Sequence, residues 1–236
     1  RLGIHYYSLH NHTEAGFPNI NLHYPLPWFE SGEGMKEYMM AHPQASYFNL
    51  CRELKGSLGD DLQSRFVTPY DIGCGGLIRF DHEFTGKEAL MEMAKNPPRT
   101  PVTLEWNGDD VAAVFATMLK PGEEPCEDIS NETEIDFCHN LSQTVFVYRT
   151  DRVLADGKDI GISSGRIISY HYNSMISLGF IDPAYAKEGT ELTLIWGTPG
   201  TRQAEIRVKV AKFPYNSDFI RNQDKDVEEI PHYLAK

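Results

Sequence analysis

The chain has 236 residues, 41% of them hydrophobic and 24% charged, with a formal net charge of −12. Those totals fit one large or two modest domains of an ordinary globular protein with a sizeable core. The negative balance argues against nucleic acid or an anionic membrane as a partner over most of the surface, and no run of about 20 apolar residues suggests a membrane-spanning helix.

In chain order, residues 1–30 are aromatic and strand-like, interrupted by Pro18, Pro25 and Pro27. Residues 31–43 suggest a short helix ended by Pro43. The stretch 70–84 is read as a glycine-punctuated turn followed by a strand, with Leu77, Arg79 and Asp81 on one face. A helix follows, with Thr85 and Glu88 spaced as a capping box, Ala89, Leu90, Met93 and Ala94 as its apolar stripe, and Pro97-Pro98 as its stop. The segment 96–101 is the linker candidate, dividing residues 1–98 from 99–236. After it come the strand Val102–Trp106, a helix with Val111, Val114, Phe115 and Met118 on one face, and an acidic loop over 120–140. From Val145 onward strands dominate, with a primed turn at Asp156-Gly157 and a polar tail over the last twenty residues. Strands in that density suggest a small antiparallel barrel or sandwich, giving an α+β chain overall.

Cys51, Cys74, Cys126 and Cys138 are scattered without a CxxC pair, so reduced thiols in a cytoplasmic protein are expected; Cys126 and Cys138 flank the acidic loop and could pair. No secretory leader is recognisable. The chain opens at Arg1-Leu2-Gly3 without Met, as expected of a chain joined partway.

The residues that carry chemistry lie near the start. On a strand, His10 and His12 would share a face with Glu14, a permitted but weak zinc pattern beside the reading of ordinary surface histidines; no metal is expected. Glu14 precedes Ala15-Gly16 and Phe17. A carboxylate there could accept two parallel hydrogen bonds from the amidine-like edge of a pterin or guanine, with Phe17 as a stacking face, or it could be an exposed glutamate before a turn. Tyr6 and Tyr7 cannot both face one side of a strand: one could be a phenol donor at a pocket, or both could be packed. Arg79 calls for an anion, either Asp81 or a ligand. Lys87 sits in a first helical turn, where a cation is disfavoured.

The ordered set Glu14-Ala15-Gly16, Glu83 to Leu90 ("EFTGKEAL"), Trp106 to Asp110 ("WNGDD") and Gly189 to Gly197 ("GTELTLIWG") resembles the glycine-cleavage T-protein family of tetrahydrofolate-dependent transferases, and within it the vanillate/syringate O-demethylase branch. The resemblance covers about residues 3–215. It implies the end of a folate-binding region followed by a C-terminal barrel, tetrahydrofolate as cofactor, and a small-molecule methyl donor. The partner it implies is the missing N-terminal half of the same protein, without which the chain is expected to be inactive. It places Glu14 and Phe17 at the pterin, Arg79 near the bound folate, and Tyr7 near the reacting methyl group as the catalytic phenol. The implied reaction moves a methyl group from a methoxyaromatic to N5 of the folate. An aminomethyl or other N- or S-linked donor on the same scaffold, or a non-catalytic folate-binding module, remain the alternatives.

Overall fold

The computed structural model of the chain describes residues 9–20, 23–27, 34–42, 52–130, 135–136 and 145–217. The tail after 217, Tyr6, Tyr7 and Cys138 therefore lie outside the described residues, while Cys126 is a buried free thiol.

The C-terminal part is a closed barrel. Its strands are β2 (Thr100–Trp106), β4 (Val145–Ala155), β5 (Lys158–Ser169), β6 (Ser174–Ile181), β7 (Glu191–Trp196) and β8 (Ala204–Ala211). They run β4–β5–β6–β2–β8–β7, and the ring shuts because β7 also pairs with β4, through Val153↔Leu194 and Leu154↔Thr193. Every pairing in the ring is antiparallel, and closure leaves these strands no open edge. Strand β8 shows why the sequence takes this form. Ile206, Val208 and Val210 point into the core and Arg207 and Lys209 point out, the period-two alternation of a half-buried strand. Val102, Leu104, Trp106, Leu194 and Trp196 fill the interior with them.

Two tight devices hold the strands in register. Asp156 and Gly157 join β4 to β5 with φ of 49° and 77°, the paired left-handed conformation of a type I′ turn, as the sequence leads one to expect. Inside the barrel, the Trp106 indole N–H donates to Ser177 Oγ at 2.9 Å, and Ser177 lies 2.8 Å from Ser163 Oγ, so that a buried ring nitrogen is satisfied.

Strand β6 departs from alternation, being buried from Met175 to Ile181. Its outward residues Ile176, Leu178 and Phe180 are covered by the first part of the chain: Leu9 reaches Ile176, while Leu58, Val67 and Ile72 pack on Leu178 and Phe180, with Phe213 and Tyr215 completing the layer. Two short strands extend the sheet along β4: β1 (Arg52–Lys55) lies parallel to residues 146–149, and β3 (Ile135–Asp136) pairs antiparallel at Phe146 and Val145. Arg65, 1% exposed, fastens the connecting segment by donating to the carbonyls of Tyr148 (2.7 Å), Gly59 (2.5 Å) and Asp61 (3.2 Å). Burial lowers its pKa to about 10, with Asp151 and Asp61 opposing the shift, so the guanidinium stays charged at neutral pH.

Four helices are described: α1 (Asn11–Glu14), α2 (Met35–Ala41), α3 (Lys87–Lys95) and α4 (Gly108–Thr117). Helices α2 and α4 fall where expected, but on α4 Val114 and Thr117 are the buried residues, and Phe115, expected on the apolar face, is exposed. In α4 the Asn107 side chain caps the Asp110 N–H at 3.1 Å, and Asp110 holds Arg207 of β8 with both oxygens.

Three expectations are corrected. The run His10 to Glu14 is helical, with Ala15 N–H bonded to Asn11 O (3.0 Å) and Phe17 N–H to His12 O (2.9 Å), and Gly16 at φ 60° ends it. Residues 70–84 form turns and a 3-10 turn at Gly75–Leu77 rather than a strand; the alternating residues that follow find no strand neighbour among the described residues, so Arg79 is exposed on irregular backbone. The capping box of α3 is not formed: Gly86, at φ 90°, takes the cap position without a side-chain bond, and Lys87 pairs with Glu83 at 2.8 Å.

Gly56 marks where β1 passes onto the barrel. Its φ is 88°, and a Cβ there would lie 2.4 Å from Thr150 O. Gly56→Ala combines left-handed strain with a backbone clash and should destabilise the fold by about 2 kcal/mol or more, lowering the Tm in thermal circular dichroism by roughly 4–8 °C.

Candidate functional site

The helical period explains why α1 carries the site. Leu9, His10, Thr13 and Glu14 are buried, three and four residues apart, while Asn11 and His12 are half-buried. His10 and His12 therefore leave the helix on opposite sides. His10 stacks on Tyr170 at 5.7 Å between centroids, and His12 tilts against Phe17 at 5.6 Å. Among the described residues no three His, Cys, Asp or Glu side chains are grouped as a metal site.

A buried hydrogen-bonded chain seats this helix on the barrel. The Asn19 N–H donates to His23 Nδ1 at 2.9 Å, so the proton of the neutral ring sits on Nε2. Nε2 then donates to Thr13 Oγ1 at 3.1 Å, and the Thr13 hydroxyl donates to Gly165 O at 2.8 Å. Ser164 Oγ donates to His23 O at 2.6 Å. Gly165 sits where β5 shifts register against β6; its φ is 65°, and a Cβ there would lie 2.2 Å from the His23 ring. Burial, then the charge of His12, push the His23 pKa down to about 3.

This mooring delivers Glu14 to the C-terminal end of β5. Glu14 is 4% exposed. Ser169 Oγ donates to its Oε1 at 2.7 Å, and His171 Nδ1 lies 3.5 Å from the same oxygen. The Glu14 carbonyl accepts the Asn216 N–H at 3.1 Å. Neither lysine nor arginine pairs with the carboxylate among the described residues; His171 is the basic side chain that reaches it. A buried carboxylate so lightly satisfied is costly to keep and suits a donor from outside.

The loop Tyr170–Asn173 between β5 and β6 frames this carboxylate. Asn173 takes a left-handed φ of 51°. Tyr170 rests on His10, and Tyr172 meets Tyr215 edge-on at 4.9 Å. The Tyr215 hydroxyl donates to Glu105 Oε2 at 2.9 Å. Tyr170 is 69% exposed, so an aromatic face stands in solvent on the loop that follows Ser169.

Of the residues expected at a site, Glu14 is buried against Ser169 and His171, whereas Phe17 packs on His12, on the side of α1 opposite His10 and Tyr170. Arg79 is joined to that group by no hydrogen bond or ion pair, and Asp81 bonds His82 (3.0 Å) instead of Arg79. Tyr7 lies outside the described residues. Space beside Gly16 is filled by protein: a Cβ there would lie 2.8 Å from the Phe213 ring. Sequence reading missed Ser169 and His171, which sit 155 and 157 residues from Glu14. It also missed a second charged nest in the acidic loop. There Glu127 pairs with Arg149, whose guanidinium lies 4.1 Å over the Trp196 ring, and Arg166 lies 4.8 Å over the same ring. Burial pushes the neighbouring Asp151 carboxyl up in spite of Arg149 and the Ser57 N–H. This nest braces the barrel wall.

No protein-family model matches the chain. Among curated proteins it is 50% identical over 229 residues, 97% of its length, to a sesamin methylene transferase of Sinomonas sp. (strain No.22), covering 50% of that protein. It is 33% identical over 203 residues, 82% of its length, to a syringate O-demethylase of Sphingobium sp., covering 42% of that protein. It is 26% identical over 99 residues, 42% of its length, to an aminomethyltransferase of Thermotoga neapolitana, covering 26% of that protein. These similarities agree with the resemblance to the glycine-cleavage T-protein family that the motifs carry. The chain spans about half the length of the curated relatives it matches first. The barrel, with the earlier segment packed on its outer face, agrees with the α+β architecture that the motifs imply. Among the described residues no helix is long and apolar enough to cross a membrane.

The His23 chain has a pH signature. The folded imidazole resists protonation down to about pH 3, whereas in the unfolded chain it takes a proton near 6.5. The unfolded state therefore binds more protons in that window, and stability is lost as pH falls through it, by ~1.4 kcal/mol per pH unit from this group. Urea unfolding at pH 7 and pH 4.5 should show a smaller loss on acidification in His23→Gln than in the parent protein.

Proposed function

We propose that the chain is the C-terminal part of a tetrahydrofolate-dependent transferase that takes one carbon from the ether oxygen of an aromatic compound. In this reading the active unit also needs a segment as long as the chain itself, corresponding to the other half of its relatives. The observation that carries the proposal is the Glu14 carboxylate. It is buried, both its side-chain contacts fall on Oε1, and no lysine or arginine neutralises it among the described residues. The amidine-like edge of a pterin offers the N–H donors such a carboxylate lacks. Phe17 adds an exposed ring for stacking, and an exposed cation such as Arg79 suits the carboxylate-bearing tail.

Tetrahydrofolate would supply the nucleophilic nitrogen N5. The rest falls to the protein. A phenolate leaves reluctantly, so the ether must be held in line with the nucleophile and its oxygen must receive a hydrogen bond as charge grows there. Tyr7 is assigned that donor role, worth about 3–4 kcal/mol of barrier.

Two donor types follow from the relatives. Similarity to a syringate O-demethylase favours a methyl group on a methoxyaromatic. The higher identity to a sesamin methylene transferase favours a methylene carbon held between two oxygens. Incubating the complete protein with tetrahydrofolate and either syringate or sesamin separates them: the first donor would yield 5-methyltetrahydrofolate and the second 5,10-methylenetetrahydrofolate. Absence of a one-carbon folate with any aryl ether would end the proposal. In the same protein, Glu14→Gln should weaken tetrahydrofolate binding by about 10-fold, roughly 1.4 kcal/mol, measured by titration calorimetry. Tyr7→Phe should lower kcat by about 100- to 1,000-fold and leave the folate Kd within about twofold.

A further inference from the structure

We infer that Ser169 is a positioning residue for tetrahydrofolate: from the end of barrel strand β5 it fixes the plane of the Glu14 carboxylate for the pterin edge. The inference rests on the proposed folate role of Glu14 and brings the barrel into recognition of the cofactor. Ser169 is fully buried, and its Oγ donates to Glu14 Oε1 at 2.7 Å across 155 positions of sequence. Hydroxyl-to-carboxylate bonds of that length are roughly twice as strong as bonds between neutral groups. The other side chain near Oε1 is His171, whose Nδ1 at 3.5 Å lies beyond the usual hydrogen-bond range. Orientation of the carboxylate therefore falls to the serine.

Backbone placement alone does not orient this acid. Glu14 is the last residue of a four-residue helix, and its side chain turns about several bonds beyond the Cα. An amidine-like edge presents parallel N–H groups in one plane, so a carboxylate that is to receive them must already lie in that plane. The Thr13 mooring and the Asn216 N–H hold the main chain at Glu14. The Ser169 hydroxyl holds the other end of the side chain.

The strand sets the serine in turn. Ile167 and Ser169 lie two positions apart on β5 and share a face. Ile167 packs with Leu9, just ahead of α1, and with Ile176 of β6, so the same face carries Ser169 to Glu14. Ser169 is itself paired with Ser174 of β6, after the register shift between Ser164 and Ile167 in which Gly165 sits. A slip by one residue would turn Ser169 to the opposite face and take the hydroxyl from the acid. Being fully buried, Ser169 acts through Glu14 and not on the ligand. Its bond takes up one acceptor position on Oε1, and Glu14 Oε2 has no hydrogen bond to a described residue, so acceptor capacity remains for the pterin.

The test is a double-mutant cycle in the complete protein, read by titration calorimetry with tetrahydrofolate. Ser169→Ala should weaken binding by about fivefold, while kcat at saturating folate stays within about twofold. In a Glu14→Ala background the same change should alter the Kd by less than about twofold, because the bond it removes is already gone. A serine that merely supports the fold would cost the same in both backgrounds. Ser169→Cys, close in size but with a weak S–H donor, carries the same expectations where the alanine variant does not fold. An unchanged Kd in Ser169→Ala beside a weakened one in Glu14→Gln, a loss in kcat instead of Kd, or equal losses in the two backgrounds would overturn the positioning role and leave the folate reading of Glu14 standing. A parent protein that does not bind tetrahydrofolate, or a Glu14→Gln variant that binds it unchanged, would overturn both.

Discussion

The arrangement of the site depends on how one turn of helix is fixed to the side of a barrel. Helix α1 has only four residues, too few to be stable by backbone hydrogen bonding alone. Its stability comes from the Asn19–His23–Thr13–Gly165 chain, in which each buried donor has an acceptor within 3.1 Å. The chain works only with a neutral imidazole of one tautomer, and burial enforces that neutrality. Glu14 follows Thr13 directly, so the geometry of the carboxylate is set by a bond one residue away.

The barrel contributes a rigid wall and a second source of site residues. Its interior is satisfied by alternation, and its outer face on β5 and β6 by the layer that includes Leu9, Leu58, Val67 and Ile72. That covering explains why β6 reads as a continuous apolar run in an antiparallel sheet, where one wet face is the usual expectation. The same layer brings the start of the chain to the end of β5, which is how Glu14 meets Ser169 and His171.

What could be read in the sequence was what is decided locally. The Asp156-Gly157 turn, helix α4 with its Asn107 cap, and the alternating strands after residue 145 follow from periods and turn chemistry over a few residues. Glu14 was legible as a candidate because a carboxylate beside a small pair and an aromatic is an unusual local set. Its helix was not, because a spacing of two in His10 and His12 imitates a strand; Gly16 as the residue that ends a helix was the available clue. Arg79 misled for the opposite reason: alternation from Leu77 to Asp81 is a strand signal, but a strand requires a neighbour. Ser169 and His171 lay in "SYHYNS", which reads as ordinary strand. Their importance comes from a contact across more than a hundred and fifty positions, which no local pattern holds.

Strand β4 has a mechanical implication. Its first residues, 145–149, lie between β1 and β3 in a small sheet outside the ring, and its remaining residues form a stave of the barrel between β5 and β7. One extended segment thus belongs to two sheets with no loop between them. A tug on the small sheet would reach the closed ring as a tilt of that stave, resisted by the ladders on both sides. Large displacements near Glu14 are therefore better accommodated by the Tyr170–Asn173 loop than by any shear of the wall behind it, and the scaffold behaves as an anvil against which only the loop can flex.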